Sequence, residues 1–206
     1  MAIYTVAITG ASGAAYGIML LEQLAAAGHE ISLVVSRDGL TVVREETAID
    51  WSGDAVAVQR AIHGRYGERV TWWEPANFYA PIASGSHRTD GMIIAPCSMK
   101  TAAAVAHGLS ASLIERAADV TLKERRPLIL VPRETPFSVI HLENLLSLAR
   151  AGAHVVPAMP GFYHHPKTLD DLVGFVVGRV LDHLGVPHRL VPRWGEDPAW
   201  GRPHEH

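Results

Sequence analysis

Two groups of residues in this chain have the types and spacing to grip a phosphate. The first is the run Thr9-Gly10-Ala11-Ser12-Gly13-Ala14-Ala15. A Gly-rich turn that opens a helix offers backbone N–H groups to an anion, with the helix dipole behind them. A plain strand–helix connection has the same composition, so both readings stay open. The second group is Arg116 with Lys123. Seven helical steps of about 100° return almost to the same face, roughly 10 Å along the axis. Two cations so placed could converge on a phosphate dianion. The alternative is a solvated helix face shared with Glu115, Asp119 and Glu124.

Other short runs carry chemistry as well. Pro132-Arg133-Glu134-Thr135-Pro136 sets a cation beside a carboxylate between two stiffening prolines. The pair is either structural or part of a site. Ala80–Ser86 contains Ser84-Gly85-Ser86, whose N–H and O–H donors could wrap an anion. In Pro96-Cys97-Ser98-Met99-Lys100-Thr101, Ser98 and Thr101 serve equally well as helix caps or as hydroxyls for a ligand. Cys97 reads as a small buried hydrophobe rather than a nucleophile. Tyr163, in Pro160–Pro166, is an amphipathic donor; the adjacent His164 and His165 diverge and do not suit one metal.

These residues need elements to hold them. Ile3–Ile8, Ile31–Val35, Met92–Ala95, Leu128–Val131 and His154–Val156 read as buried strands, with Val70–Trp73 a weaker sixth. Helical spacing appears over Ala14–Ala27, with Gly28 as its stop, and over Ser110–Lys123, Ser138–Ala151 and Leu169–Leu184. Strands that are apolar throughout and alternate with helices predict an α/β fold. It is Rossmann-like and doubly wound, a mostly parallel sheet with helices on both faces in a three-layer sandwich. One domain over 1–190 and a tail over 191–206 are expected, with Trp194 and Trp200 of the tail packed on something. In such sheets ligands lie beyond the carboxyl ends of the strands.

Composition and absent motifs narrow the chemistry. The 206 residues carry 18 Lys and Arg against 21 Asp and Glu, a formal charge of −3, which disfavours generic nucleic-acid binding. A single Cys excludes an intrachain disulfide and suits a reducing compartment, the cytoplasm. No apolar run approaches the roughly 20 residues of a membrane span, and the N-terminus lacks a basic leader. Against G-x-G-x-x-G, Gly10 fits, but Ser12 and Ala15 stand where glycines belong, so an NAD enzyme using Asp38 is a minor reading. Zinc motifs, a G-x-S-x-G elbow, Walker A and an aspartate-rich magnesium site are missing.

The chain resembles the flavin prenyltransferases of the UbiX/Pad type. The resemblance rests on Thr9–Gly17, Ala80–Ser86, Pro96–Thr101, Arg116–Glu143 and Pro157–Pro166, with Glu115–Pro127 the most specific stretch and Pro192–Glu196 fitting in the tail. It implies that FMN, in its reduced form, accepts a dimethylallyl group from dimethylallyl phosphate at N5 and C6, and that the prenylated FMN serves UbiD-type decarboxylases. It places Gly10, Ala11, Ser12, Ser36, Ser98, Met99, Lys100, Thr101 and Arg133 around FMN. Ser84, Gly85, Arg116, Lys123, Tyr163 and Arg179 would hold the prenyl phosphate, the last two from a neighbouring subunit of a homo-oligomer, often a dodecamer. Ser12, Glu46 and Glu134 occupy positions associated with proton handling, and Lys123 counts with them as catalytic through the leaving phosphate.

The implied chemistry suits these residues. Fixed cations stabilise charge building on the phosphate, and aromatic faces (Phe78, Tyr79, Tyr163 and Trp194 are the candidates) stabilise the allyl fragment. A monophosphate held by Arg and Lys needs no metal. Two positions depart from the family pattern: Phe78 stands where Trp is expected, and Met99-Lys100 is bulkier than usual. The runners-up are a related flavin-dependent cysteine decarboxylase and a non-catalytic FMN carrier. The former uses an early catalytic His, but His29 falls at a helix end, away from the expected site, and Pro96–Thr101 lacks the Asn of its substrate loop.

Overall fold

The computed structural model describes residues 1–193. Six strands form one sheet: β1 (Ile3–Ile8), β2 (Glu30–Val35), β3 (Val70–Trp73), β4 (Gly91–Cys97), β5 (Leu128–Pro132) and β6 (His154–Val155). Their order is β3-β2-β1-β4-β5-β6, and every neighbouring pair is parallel. The chain winds outward from β1 in one direction and then, from β4, in the other. The switch point therefore lies between β1 and β4, where open α/β sheets bind their ligands.

Helices cover both faces. On one side lie α1 (Ala14–Ala26), α2 (Arg37–Glu46), α3 (Ala55–Tyr66) and α7 (Leu169–Leu184). Ile18, Leu21 and Leu24 of α1 and Val176, Val180 and Leu181 of α7 meet Val6, Ile8, Leu33 and Val35 there. On the other side α4 (Met99–Ala106), α5 (Leu113–Lys123) and α6 (Val139–Arg150) set Val105, Leu113, Ala117, Ala118 and Leu148 against Val34, Met92, Ile94 and Leu130. The strands are buried on both faces, so their near-continuous apolar character has a direct cause.

The strand expectations agree with the structure to within one or two residues, and Leu169–Leu184 agrees end to end. The helix expected from Ser110 begins at Leu113, because Ser112 is its cap and accepts a hydrogen bond from the Glu115 N–H at 3.3 Å. Ser138 is likewise the cap of α6 rather than its first residue. Helices α2 and α3 were not expected. Only Gly39 and Val43 of α2 are buried, so its sequence carries almost no apolar period. Trp194 and Trp200, and most of the tail, lie outside the described residues.

Candidate active site: a cradle at one edge of the sheet and a cation group at the other

The parallel register places the residues after β1, β2, β4 and β5 along one edge. Thr9 ties the two central strand ends together. Its buried hydroxyl donates to the Pro96 carbonyl at 2.8 Å and accepts from the Ser98 N–H at 2.8 Å. Beside it, where β4 and β5 end, the Arg133 N–H donates to the Cys97 carbonyl at 3.3 Å. The Arg133 guanidinium then returns to β1, its Nε donating to the Ser12 carbonyl at 3.0 Å. Ser12, Ser98 and Arg133 are thus one connected rim. Within the run from Thr9 to Ala15, the signal for this tie is a hydroxyl closing an apolar strand just before the glycine turn.

Helix α1 starts at Gly13, whose φ of 107° is a left-handed conformation that glycine adopts without steric cost. The N–H groups of Gly13 and Ala14 donate to Glu46 Oε2 at 2.7 and 2.9 Å. The anion seated on this helix start is therefore the chain's own carboxylate. That corrects the simplest version of the expected phosphate cradle. Among the described residues the N–H groups of Gly10, Ala11 and Ser12 meet no protein acceptor. Those donors remain for a ligand. Burial works to raise the Glu46 pKa, but hydrogen bonds from the Ser12 hydroxyl and the Ala14 and Gly13 N–H groups, with the charge of Arg133, outweigh it. The net result lies below the usual carboxylate range.

Ser36 caps α2 by accepting from the Gly39 N–H at 3.0 Å. Ser98 caps α4, and its hydroxyl sits 3.0 Å from that of Thr101. Met99 is buried under this turn, while Lys100 is exposed. Glu134 accepts from the N–H of its neighbour Thr135 at 3.0 Å, and the Ser12 hydroxyl bonds Glu46. Cys97 is fully buried, and that burial pushes its thiol up to about 12. The cradle donors (free N–H groups, the Ser98 and Thr101 hydroxyls and a fixed guanidinium) suit the phosphate and polar ring edge of a flavin mononucleotide.

The cation group is built elsewhere. Arg116 Nε donates to the Ala83 carbonyl at 3.0 Å, and its Nη1 pairs with Asp119 at 3.0 Å. Lys123 pairs with Glu124 at 2.5 Å and holds that carboxyl below its usual range. A Cβ on Gly85 would run into the Glu124 carboxylate and lie 2.8 Å from Lys123 Nζ. Arg126 donates to the carbonyls of Gly85 and His87, both at 2.8 Å. Ser84, Gly85 and Lys123 are therefore neighbours, as expected.

Their position in the fold is a different matter. Lys123 ends α5 where the chain turns into β5, so Gly85 and Lys123 lie where the strands begin. Seven residues of β4 separate that edge from the cradle, about 20 Å at strand rise. Here a basin of about 650 Å³ is lined by Lys123, Arg125, Arg126, Arg150 and His154. Within a single chain the two groups therefore do not share one rim. The physical reason is that α5 runs antiparallel to the strands it connects.

Tyr163 is half-exposed, edge-on to Phe175 with centroids 5.6 Å apart. Arg179 pairs with Asp182 at 3.0 Å on α7. Arg179 on α7 and Tyr163 against its Phe175 belong to the face of the sheet opposite α5, which carries Arg116 and Lys123. Phe78 is partly exposed and Tyr79 almost fully so. His29 sits where β2 begins, accepting from the Ala2 N–H at 3.1 Å, away from the cradle. Among the described residues no three His, Cys, Asp or Glu form a group that could hold a metal, and no helix is long and apolar enough to cross a membrane.

A doubly wound parallel sheet with anion-ready groups at its switch point defines a mononucleotide-binding α/β protein. The family model described as Flavoprotein matches residues 3–181. The flavin prenyltransferase UbiX of Halalkalibacterium halodurans is 50% identical over 195 residues, which is 95% of this chain and 94% of that protein. That of Pseudomonas aeruginosa is 48% identical over 195 residues, 93% of each chain. This chain belongs to the Flavoprotein family, in its flavin prenyltransferase branch.

Solved structures agree. The crystal structure of AnUbiX (PadA1) in complex with FMN and dimethylallyl pyrophosphate is 41% identical, with a TM-score of 0.84 over 94% of this chain and 97% of that one. A dodecameric FMN-dependent UbiX-like decarboxylase from Escherichia coli O157:H7 is 46% identical, with a TM-score of 0.84 over 93% and 98%. A PPC decarboxylase mutant at 17% identity and TM-score 0.59, over 89% of this chain and 99% of that one, shares the fold alone.

Proposed function

We propose that this chain joins a dimethylallyl group from dimethylallyl phosphate to N5 and C6 of reduced FMN, without a metal. The observation that carries the reading is the rim of Ser12, Glu46, Ser98 and Arg133 at the switch point, in a chain that is half identical to a flavin prenyltransferase. Gly10, Ala11, Ser12, Ser36, the Ser98–Thr101 turn and Arg133 bind FMN there. When bound, the reduced flavin supplies the nucleophile. Arg116, Lys123 and Arg179, with the donors of Ser84 and Gly85 and the hydroxyl of Tyr163, hold the phosphate and offset the charge that grows on it as the allylic bond breaks. Glu134 accepts a proton at its carboxylate, and Glu46, held ionised, orients the Ser12 hydroxyl on the cradle side.

The two groups face opposite edges of one chain, so we place them together between copies of the chain in a homo-oligomer, a dodecamer by analogy with the Escherichia coli structure. The protein then works in the cytoplasm, and its product passes to a UbiD-type decarboxylase. The test is anaerobic incubation with reduced FMN and dimethylallyl phosphate, followed by mass spectrometry of the released flavin. A flavin heavier by one five-carbon unit supports the reading. An unmodified flavin with both the monophosphate and the pyrophosphate defeats it, and turnover of a peptidyl cysteine would move the chain to the decarboxylase reading.

A further inference from the structure

The chain beyond α7 folds back along that helix, and the contacts it makes converge on one carboxylate. After Gly185 ends the helix, His188 settles over Gly178, where a Cβ would lie 2.9 Å from His188 Cε1. The imidazole is 3% exposed. Its Nδ1 accepts from the Leu190 N–H at 3.3 Å, so its proton is on Nε2, which donates to Asp182 Oδ1 at 3.1 Å. Arg193 donates to the same oxygen at 3.2 Å. The other oxygen, Oδ2, accepts from Arg179 Nη1 at 3.0 Å.

A lone exposed Arg–Asp pair one turn apart on a helix holds little. This one differs because a buried imidazole fixes the carboxylate from behind. His188 holds Asp182 through Oδ1 while Arg179 takes Oδ2, and among the described residues the Arg179 Nη2 and Nε donors meet no acceptor and are left for a second anion. A planar guanidinium held at one corner can still present a forked pair of donors to phosphate.

We infer that Asp182, locked by His188, is a positioning residue that holds Arg179 ready for the prenyl phosphate. This rests on the reading that Arg179 binds that phosphate. Asp182 itself touches no reacting atom, and Gly178 is small so that His188 can reach it.

The test is steady-state prenylation by the full-length protein, with melting temperature recorded for each variant. Asp182→Asn keeps the shape but loses the charge. It raises KM for dimethylallyl phosphate about tenfold and leaves kcat within about twofold. Added to Arg179→Ala, the same change has no further effect on KM, because the residue it orients is gone. A lower melting temperature with unchanged KM makes Asp182 a structural residue and overturns the inference. Arg179→Ala with unchanged KM instead overturns the placement of Arg179 at the donor. If Asp182→Asn does not fold, His188→Gln, which keeps a donor, and His188→Ala, which does not, decide the matter. Raised KM in the alanine variant with recovery in the glutamine variant supports the lock, and unchanged KM in both refutes it.

Discussion

The two edges of the sheet are built on different plans. At the edge where the strands end, Thr9, Ser12, Glu46, Ser98 and Arg133 are bonded to one another and to backbone, all within one chain. At the edge where they begin, Lys123 and Arg126 bond Glu124, the Gly85 and His87 carbonyls and the Thr89 hydroxyl, all close by in the chain's own loops, and the basin beside them is open. A flavin is large, rigid and planar, and a preorganised rim suits it. A small phosphate dianion suits the cations gathered at the other edge, while Tyr163 and Arg179 belong to the opposite face of the sheet from Lys123. The difference fits the proposal that one chain's fold builds the flavin cradle and that the donor site is completed between copies of the chain.

Several substitutions would break or sharpen that contrast. The largest effect is expected for Glu134→Gln, which removes a proton acceptor and slows prenylation about 100-fold or more, while FMN binding, measured by fluorescence titration, stays unchanged. Normal rates would take Glu134 out of the chemistry. Lys123→Ala loses a charge-assisted hydrogen bond and raises KM for dimethylallyl phosphate by about 10- to 100-fold, again without weakening FMN. If FMN binding fell instead, the division of labour between the edges would be wrong.

Glu46→Gln acts on the cradle and on acid stability. The Glu46 carboxyl lies below its usual value of 4.5 when folded. Its contribution to stability is therefore complete above that value and is lost as the pH falls through the lower folded value. The glutamine variant has a flatter acid limb in its melting temperature and weaker FMN binding; an unchanged limb would mean the Ser12–Glu46 contact does not hold in solution. The smallest effect is expected at Cys97. Its buried thiol, raised to about 12, resists alkylation until the protein unfolds. Cys97→Ala costs about 1 kcal/mol of stability and leaves turnover as it was. Rapid native-state alkylation with loss of activity would bring Cys97 into the site.

Most of the sheet was legible in the sequence because each strand is a short apolar run bounded by turn residues. The runs ending at Ile8, Val35 and Val131 announced the positions of Gly10, Ser36 and Arg133. What local pattern could not show was Glu46 seated on α1. It ends α2, a helix with one buried apolar side chain, Val43, and its partners Gly13 and Ala14 lie over 30 residues away. The place of Lys123 was hidden for a different reason. Spacing along α5 puts it on a face with Arg116, but only topology says which edge of the sheet that helix end reaches. Arg179 and Asp182 could be read as an ordinary helical pair until the chain returning from Gly185 set His188 behind them.

The claim that one site is shared between copies can be tested by complementation. Arg133→Ala damages the cradle and Arg179→Ala damages the donor side, and each variant alone is expected to be nearly inactive. Unfolded, mixed in equal amounts and refolded into joint oligomers, they should recover about a quarter of wild-type prenylation, because random assembly restores one intact site in four. Activity no higher than that of the separate variants, in oligomers shown by mass spectrometry to contain both chains, would mean that each copy carries its own complete site.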